Sequence, residues 1–335
     1  MQILITGAAG FIGKKLAKKL LDSGTITLNG GEKKAFDQLV LFDVVPPEGL
    51  PDDVRITVKT GNIADPAVVN ALVNPATSLV FHLAAIVSAN AEENFDLGFA
   101  VNVDGTRYLL EACRRLGTQP MMVFSSSVGI YGGNLPETGH DDMIITPTIS
   151  YGTQKTIGEL LVNEYSRKGF IDGRSLRLPT IMVRPGKPNR AASTFASSII
   201  REPLTGQKAI CPVDPQNRMY ILSPRRVIEA LIKAVELPAE TWGWNRMLTL
   251  PGISASIREM VDALETVAGK EVASLIEWKP DPLIEKIVSG WLHNYDAQRA
   301  KNMGFRADNS MEEIIRAHIE DELGGKITEA MLVGG

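Results

Sequence analysis

Residues 1–13 read MQILITGAAGFIG. Ile3, Leu4 and Ile5 make an apolar run too short for a helix and suited to a strand buried on both faces of a parallel sheet. Gly7, Gly10 and Gly13 follow, and Phe11 to Leu21 continues with a helical pattern. Glycines at such a junction permit a tight turn, close approach of the backbone to a pyrophosphate, and close packing of helix on strand. The amides at the helix start then face phosphate oxygens, assisted by the helix dipole. Strand, glycine loop and helix together predict a dinucleotide site on an α/β fold.

The pattern continues outward from that stretch. Strand-like runs at Ile3–Thr6, Leu39–Asp43, Arg55–Lys59, Leu79–His82, Met121–Ser125 and Arg174–Leu178 alternate with helical stretches near 11–22, 65–73, 96–116 and 151–168. Such alternation implies a doubly wound parallel sheet with ligands at the carboxyl ends of its strands. The glycine loop, Asp43, Asn62, Leu83-Ala84-Ala85, Ser125-Ser126-Ser127 and Pro179-Thr180 all fall at those ends. Asp43 closes the second main strand, where a carboxylate accepts hydrogen bonds from the ribose of NAD and repels the 2′-phosphate of NADP. Its alternative is a turn aspartate before Pro46-Pro47. Lys14, Lys15, Lys18 and Lys19 fall on the outer face of the first helix and read as solvated charges.

After Pro179 the pattern changes. Pro185, Pro188, Pro203, Pro212, Pro215 and Pro224 break the chain into short pieces. Two helices are signalled later. Ser256 and Glu259 form a capping box ahead of Ile257, Met260, Val261 and Leu264, and Ser310 and Glu313 repeat it before Ile314 and Ile315. This half reads as a smaller domain that supplies substrate contacts.

Bulk properties exclude several classes. The 335 residues suffice for one large domain or two unequal ones. Lys and Arg number 35 and Asp and Glu 39, so there is no basic footprint for nucleic acid. Cys113 and Cys211 match no disulfide or metal spacing, which predicts no metal and a reduced, cytoplasmic setting. The first strand begins at Met1, so no signal peptide is expected. No apolar run approaches a membrane span.

Tyr151 and Lys155, in YGTQK, lie four residues apart and share one face of the helix predicted over 151–168. An ammonium beside a phenol favours the phenolate and tunes the tyrosine towards proton transfer at neutral pH. With TGAAGFIG at 6–13, HLAA at 82–85 and SSS at 125–127, the chain resembles an extended short-chain dehydrogenase/reductase over nearly its whole length. The resemblance implies a Rossmann-type NAD-binding domain over 1–180, with part of 209–235 returning to it, and a mainly substrate-binding domain over 181–335.

It further implies that Tyr151 is the general acid/base and that Lys155 binds the nicotinamide ribose and lowers the tyrosine pKa. A serine positions the reacting oxygen: Ser127 by count, with Ser126 its competitor. Cofactor contacts are implied for Gly7, Gly10, Phe11, Ile12, Gly13, Asp43, Asn62, Ile63, Leu83, Ala84, Ala85, Asn102, Ser126, Pro179 and Thr180. Asn102 is also expected to hold backbone near the active-site helix, and His82 to be structural. Residues 178–186, LPTIMVRPG, and 221–225, ILSPR, depart from the Asn-Tyr-Gly-Pro-like and Val-Asp-Asp segments of members that act on nucleotide sugars.

Residues 184–207 and 24–44 instead look like a branch that oxidises a small sugar acid at C2 with NAD. Substrate contacts are implied for Ser88, Ser127, Tyr151, Asn189, Arg190 and Ser193, with Arg184 and Arg218 as further candidates. A carboxylate suits a bidentate arginine, though each arginine is equally suited to an ordinary ion pair. The rival readings are a nucleotide-sugar epimerase or dehydratase, a uronate or other aldonate dehydrogenase, and a non-catalytic redox-sensing protein. A homodimer is expected through the helices near 96–116 and 151–168, the latter carrying Ile157, Leu160, Leu161 and Tyr165 in a stripe.

Overall fold

A computed structural model describes residues 1–186 and 193–327. The strands that carry the argument are β1 (Gln2–Thr6), β2 (Gln38–Asp43), β3 (Ile56–Thr60), β4 (Thr77–His82), β5 (Met121–Ser127), β6 (Asp172–Leu178), β7 (Thr180–Ile181), β8 (Arg218–Leu222), β9 (Met247–Thr249) and β10 (Ile253–Ser256). The helices are α1 (Phe11–Ser23), α2 (Gly105–Leu116), α3 (Ser150–Arg167), α4 (Ile257–Ala268) and α5 (Met311–Glu322).

The chain divides into two compact units. The first comprises residues 1–130, 147–178 and 228–249. Its sheet runs in the order β9-β6-β5-β4-β1-β2-β3, with every neighbouring pair parallel. This is the doubly wound dinucleotide-binding order, with its switch point between β1 and β4. The central strand β1 is buried at every position, as its unbroken apolar run requires. The edge strand β3 lies one residue later than its expected Arg55–Lys59 and has no fully buried residue. The predicted helix over 65–73 is only Pro66–Asn70. That over 96–116 is interrupted by a π-helical turn at Ala100–Asp104.

The second unit comprises residues 131–146, 179–227 and 250–335. β8 pairs in parallel with β7 and antiparallel with β10. A core of Met182, Phe195, Ile199, Ile221, Met260, Leu264, Ile314 and Ile315 sits under α4 and α5. The capping box of α4 forms in both directions between Ser256 and Glu259. At α5 only half forms, because Ser310 accepts from the Glu313 amide while the Glu313 carboxylate accepts from Asn309 and pairs with Arg226.

These boundaries differ from the division expected at 180. Residues 131–146 join the second unit because Gly139–His140 pairs with Tyr295–Asp296. The segment returning to the first unit is 228–249, which takes 228–235 from the expected 209–235 and runs beyond it because β9 adds to β6. Arg174 anchors that return by donating to the carbonyls of Ala234 and, at 2.7 Å, Leu237.

Candidate active site

The three glycines of the first loop serve different ends. Gly7 has φ +74°, and a Cβ there would lie 2.6 Å from the Ala84 nitrogen, so the loops after β1 and β4 touch. A Cβ on Gly13 would lie 2.4 Å from the Gly7 carbonyl oxygen, so only glycine lets α1 leave the turn so closely. At Gly10 a Cβ meets only that oxygen, at 3.2 Å, and its other sides are open to an approaching group. α1 starts at Gly10 with no side-chain cap and no acidic residue in its first turn. An uncapped, acid-free helix start after a glycine turn is a pyrophosphate cradle. The Asp43 carboxylate turns to the same loop, accepting from the Ala9 amide at 2.9 Å and the Val44 amide at 2.7 Å. The residues present therefore fit a dinucleotide.

Asn62 accepts from the Ala64 amide to shape the turn after β3, while Ile63 is buried in the core beneath α2. Leu83 and Ala84 are tied to β1 by hydrogen bonds that their amides donate to the Thr6 carbonyl and hydroxyl. Asn102, in the π turn, accepts from the Ile86 amide at 2.8 Å and donates to the Ile86 carbonyl and to Gln154. Both its amide hydrogens are used, so its side chain braces the 83–86 loop against α3 rather than offering donors to a ligand.

His82 is equally enclosed. Its Nδ1 meets the Thr6 hydroxyl at 2.7 Å and its Nε2 the Thr106 hydroxyl at 2.9 Å. The Thr106 hydroxyl donates to the Asn102 carbonyl, so its hydrogen is committed and Nε2 is the protonated nitrogen. Burial, with Lys155 nearby, pushes the His82 pKa down to about 3, and the ring stays neutral.

The serine run of β5 divides by strand alternation. Ser126 is buried and its hydroxyl finds no hydrogen-bond partner among the described residues. Ser127 is half-buried, and its Oγ accepts from the Gly129 amide at 3.0 Å. A Cβ on Gly129 would lie 3.3 Å from Ser127 Oγ and 3.8 Å from the Tyr151 ring. Serine hydroxyl and tyrosine ring thus flank one glycine. Gly129 escaped sequence reasoning because nothing but proximity marks it.

Lys155 Nζ lies 5.7 Å from the Tyr151 ring centroid and 4.7 Å from that of Phe124, and donates to the Ser125 carbonyl at 2.8 Å. It is 2% exposed. Burial pulls its pKa down to about 7, with Glu159 acting in the opposite direction. Glu159, one turn further along α3, is clasped by Arg177 of β6 through Nε and Nη2 at 2.9 and 2.8 Å. Sequence reading missed this pair. Its signal was an arginine inside the apolar run SLRLP and a glutamate four residues after Lys155.

Of the expected substrate residues, Tyr151 and Ser127 flank Gly129, and Ser88 begins the helix Ser88–Glu93 in the same unit. Asn189 and Arg190 lie outside the described residues. In the second unit Arg184 donates to Ser193 Oγ at 2.9 Å and to the Ile181 carbonyl, so two candidates touch. Thr180 belongs to β7. Arg218 is exposed, bonds Ser254 and pairs with Glu259 at 3.1 Å, which is the ion-pair alternative for that residue.

Residues 3–243 match the model of the NAD dependent epimerase/dehydratase family. The chain belongs to that family. It is 52% identical to D-erythronate dehydrogenase of Cupriavidus necator, covering 96% of this chain and 98% of the relative. It is 41% identical to D-erythronate dehydrogenase of Haemophilus influenzae, over 96% of this chain and 100% of the other. Among solved structures it resembles a nucleoside-diphosphate-sugar epimerase from Agrobacterium tumefaciens, with TM-score 0.92 and 44% identity over 98% of this chain and 96% of that one. As a member of the family, the protein is an oxidoreductase that works with a nicotinamide cofactor. Among the described residues no helix is long and apolar enough to cross a membrane.

Proposed function

We propose that this chain oxidises the C2 hydroxyl of D-erythronate to 2-oxo-D-erythronate with NAD. The observation that carries the reading is the near-full-length identity to two D-erythronate dehydrogenases, joined to a serine, tyrosine and lysine arranged for oxidising an alcohol. When bound, the nicotinamide supplies the hydride acceptor. Gly7, Gly10 and Gly13 leave room for the pyrophosphate, Asp43 selects a ribose without a 2′-phosphate, and Lys155 holds the nicotinamide ribose. Tyr151, as the phenolate favoured by the Lys155 ammonium, takes the proton of the C2 hydroxyl. Ser127 donates a hydrogen bond to the same oxygen and supports its developing negative charge. His82 and Asn102 fix the loop behind these groups and move no proton.

The test is NADH formation by the purified protein over D-erythronate, other four- to six-carbon aldonates, and uronates, each with NAD and NADP. D-Erythronate with NAD is expected to give the highest kcat/KM, and Asp43→Ala to erase the preference for NAD. A better uronate or a second aldonate would move the substrate within the same chemistry. The solved epimerase relative keeps a second reading in view, a nucleotide-sugar epimerase, which would interconvert its substrate without net NADH release.

A homodimer through α3 and the preceding helices belongs to this reading. Leu160 is 57% exposed, Ile157 and Leu161 are half-buried, and Phe95 and Leu97 also face solvent. Light scattering at micromolar concentration should give twice the 36.4 kDa chain mass, and a monomeric value overturns the dimer.

A further inference from the structure

Lys155 poses an electrostatic problem that the reaction alone does not solve. Its ammonium is enclosed, has one hydrogen-bonded partner among the described residues, the Ser125 carbonyl, and lies over the Phe124 ring. An uncompensated charge in such a place costs several kcal/mol and tends to discharge. A neutral amine there cannot stabilise the Tyr151 phenolate.

The carboxylate whose charge reaches it is Glu159, fully buried on the same face of α3 one turn away. It does not bond Lys155. Both of its oxygens are taken by Arg177, with Nε at 2.9 Å from Oε1 and 3.2 Å from Oε2, and Nη2 at 2.8 Å from Oε2. Arg177 stands opposite Ser126 in the β5–β6 register, beside the Ser125 whose carbonyl receives the lysine. A bidentate clasp of this kind fixes a carboxylate in orientation as well as in charge.

We propose that Glu159 is a positioning residue for Lys155: Arg177 holds its carboxylate off the lysine, so that it acts as a counter-charge through space and leaves the ammonium directed at Tyr151 and the cofactor ribose. A free glutamate would close on Lys155 and occupy the donors the reaction needs. The other charged or titratable groups facing Lys155, among the described residues, are Tyr151 on its own helix, neutral His82 on β4, and Arg177 itself on β6. β5 contributes Phe124 and Ser125, which carry no charge.

The inference rests on the roles proposed for Tyr151 and Lys155 but is read without substrate. Failure to oxidise D-erythronate would therefore leave this test standing, and a failed titration would leave the substrate reading standing. In the cofactor-free protein, the phenolate absorbance of Tyr151 is obtained by subtracting the spectrum of the matching Tyr151→Phe protein. NADH binding is followed by fluorescence across the same pH range.

Glu159→Gln should raise the Tyr151 titration by about one pH unit or more, as expected for loss of a supporting charge. Glu159→Gln with Arg177→Met removes both members of the clasp, so no guanidinium is left buried without its carboxylate, and should fold where the single variant does not; its Tyr151 titration should still rise, by less. Arg177→Met frees the carboxylate to pair with Lys155 and should weaken NADH binding roughly tenfold, on the scale of one charged hydrogen bond, without raising the tyrosine titration. One arm needs no variant. Nitrogen-15 NMR should show the wild-type Lys155 Nζ as an ammonium that titrates near neutral pH, and an amine already in weakly acidic solution overturns the proposal. A folded double variant with the wild-type titration and NADH affinity overturns it equally, reducing the pair to a staple between α3 and β6.

Discussion

Helices α3 and α4 obey opposite rules. α4 buries Ile257, Met260, Val261, Ala263 and Leu264 and exposes Arg258, Glu259, Asp262 and Glu265, the pattern that drives an amphipathic helix onto a core. α3 buries Gly152, Gln154, Lys155, Gly158, Glu159 and Val162, while Leu160 is exposed and Ile157 and Leu161 are only half-buried. Its inner face is largely polar, and its exposed face carries Leu160 among Thr153, Glu164 and Arg167. The glycines are there for approach: a Cβ on Gly152 would lie 2.2 Å from the Gly129 carbonyl oxygen, and one on Gly158 would lie 2.6 Å from Phe124 Cζ. α4 is built for stability. α3 is built to bring Tyr151 and Lys155 to the carboxyl end of β5, with the Glu159–Arg177 clasp offsetting part of the cost.

The largest expected effect tests the inner face of α3. Tyr151→Phe keeps the ring and removes the hydroxyl, and should lower turnover by roughly 10²–10⁴-fold, the range for a general acid/base. NAD affinity and the thermal midpoint should stay near wild type. Near-normal turnover in the folded variant would falsify the proton-transfer role. In α4 the mirror experiment is Leu264→Ala, which should cost about 2–5 kcal/mol of stability by leaving a cavity in a packed core. Below its lowered melting point that variant should retain wild-type kcat. A denaturant titration paired with steady-state kinetics checks both, and a Leu264→Ala enzyme with full stability or lost kcat breaks the contrast.

This contrast also marks what the sequence made legible. The parallel sheet could be read because β1, β2, β4 and β5 are apolar runs closed by glycine, aspartate, histidine or serine. α4 could be read because its capping box and apolar stripe agree. The strands of the second unit were read only as broken pieces, because β7 and β10 have two and four residues and their pairing is set by distant partners. The π turn at Ala100–Asp104 has no composition of its own, and it places Asn102 where Ile86 and Gln154 can be bonded. In the site, Tyr151 and Lys155 were visible through spacing. Ser127 and Ser126 could not be separated until alternation along β5 turned one outward. Arg218 looked like a carboxylate clamp because a sequence cannot show the Glu259 beside it.

A pH experiment sharpens the comparison further. In the unfolded chain Lys155 releases its proton near the ordinary value of 10.5, whereas in the cofactor-free fold burial lowers this to about 7. The unfolded state therefore holds more protons between those values, so stability rises with pH across that window. The cost of burying the charged lysine is fully present below about 7 and is lifted as pH rises. Above about 9 the raised pKa of Cys113, which burial pushes up to about 12, acts in the opposite direction. Between pH 7 and 9 Lys155→Met should flatten the slope and stabilise the protein by up to about 2 kcal/mol at the lower end, while abolishing activity. None of the buried residues of α4 titrates, so Leu264→Ala should leave the slope unchanged. Chemical denaturation at three pH values decides this, and an unaltered slope in Lys155→Met would show that the lysine keeps its proton in the native fold throughout that window, its pKa not lowered by burial.

The smallest effect lies at the helix starts. Ser256 accepts from the Glu259 amide at 3.1 Å, and the Glu259 carboxylate returns the bond to the Ser256 amide at 2.6 Å. Ser256→Ala removes an acceptor for an amide that has no intrahelical partner, and should cost about 1 kcal/mol. α3 has no such device, since its cap position is Ile149, whose side chain accepts nothing. Its first amide, Ser150, is met instead from another helix by the Glu92 carboxylate at 2.8 Å. An exposed cap supplied from a distance orders two segments for one bond and should contribute less than a local one. Glu92→Gln should therefore lose less stability than Ser256→Ala, because the amide oxygen still accepts. It should change kcat more, because Ser150 immediately precedes Tyr151. Equal stability losses with no kinetic difference would mean that the start of α3 is held by its packing alone, through Gly152 against Gly129, and that Glu92 only decorates it.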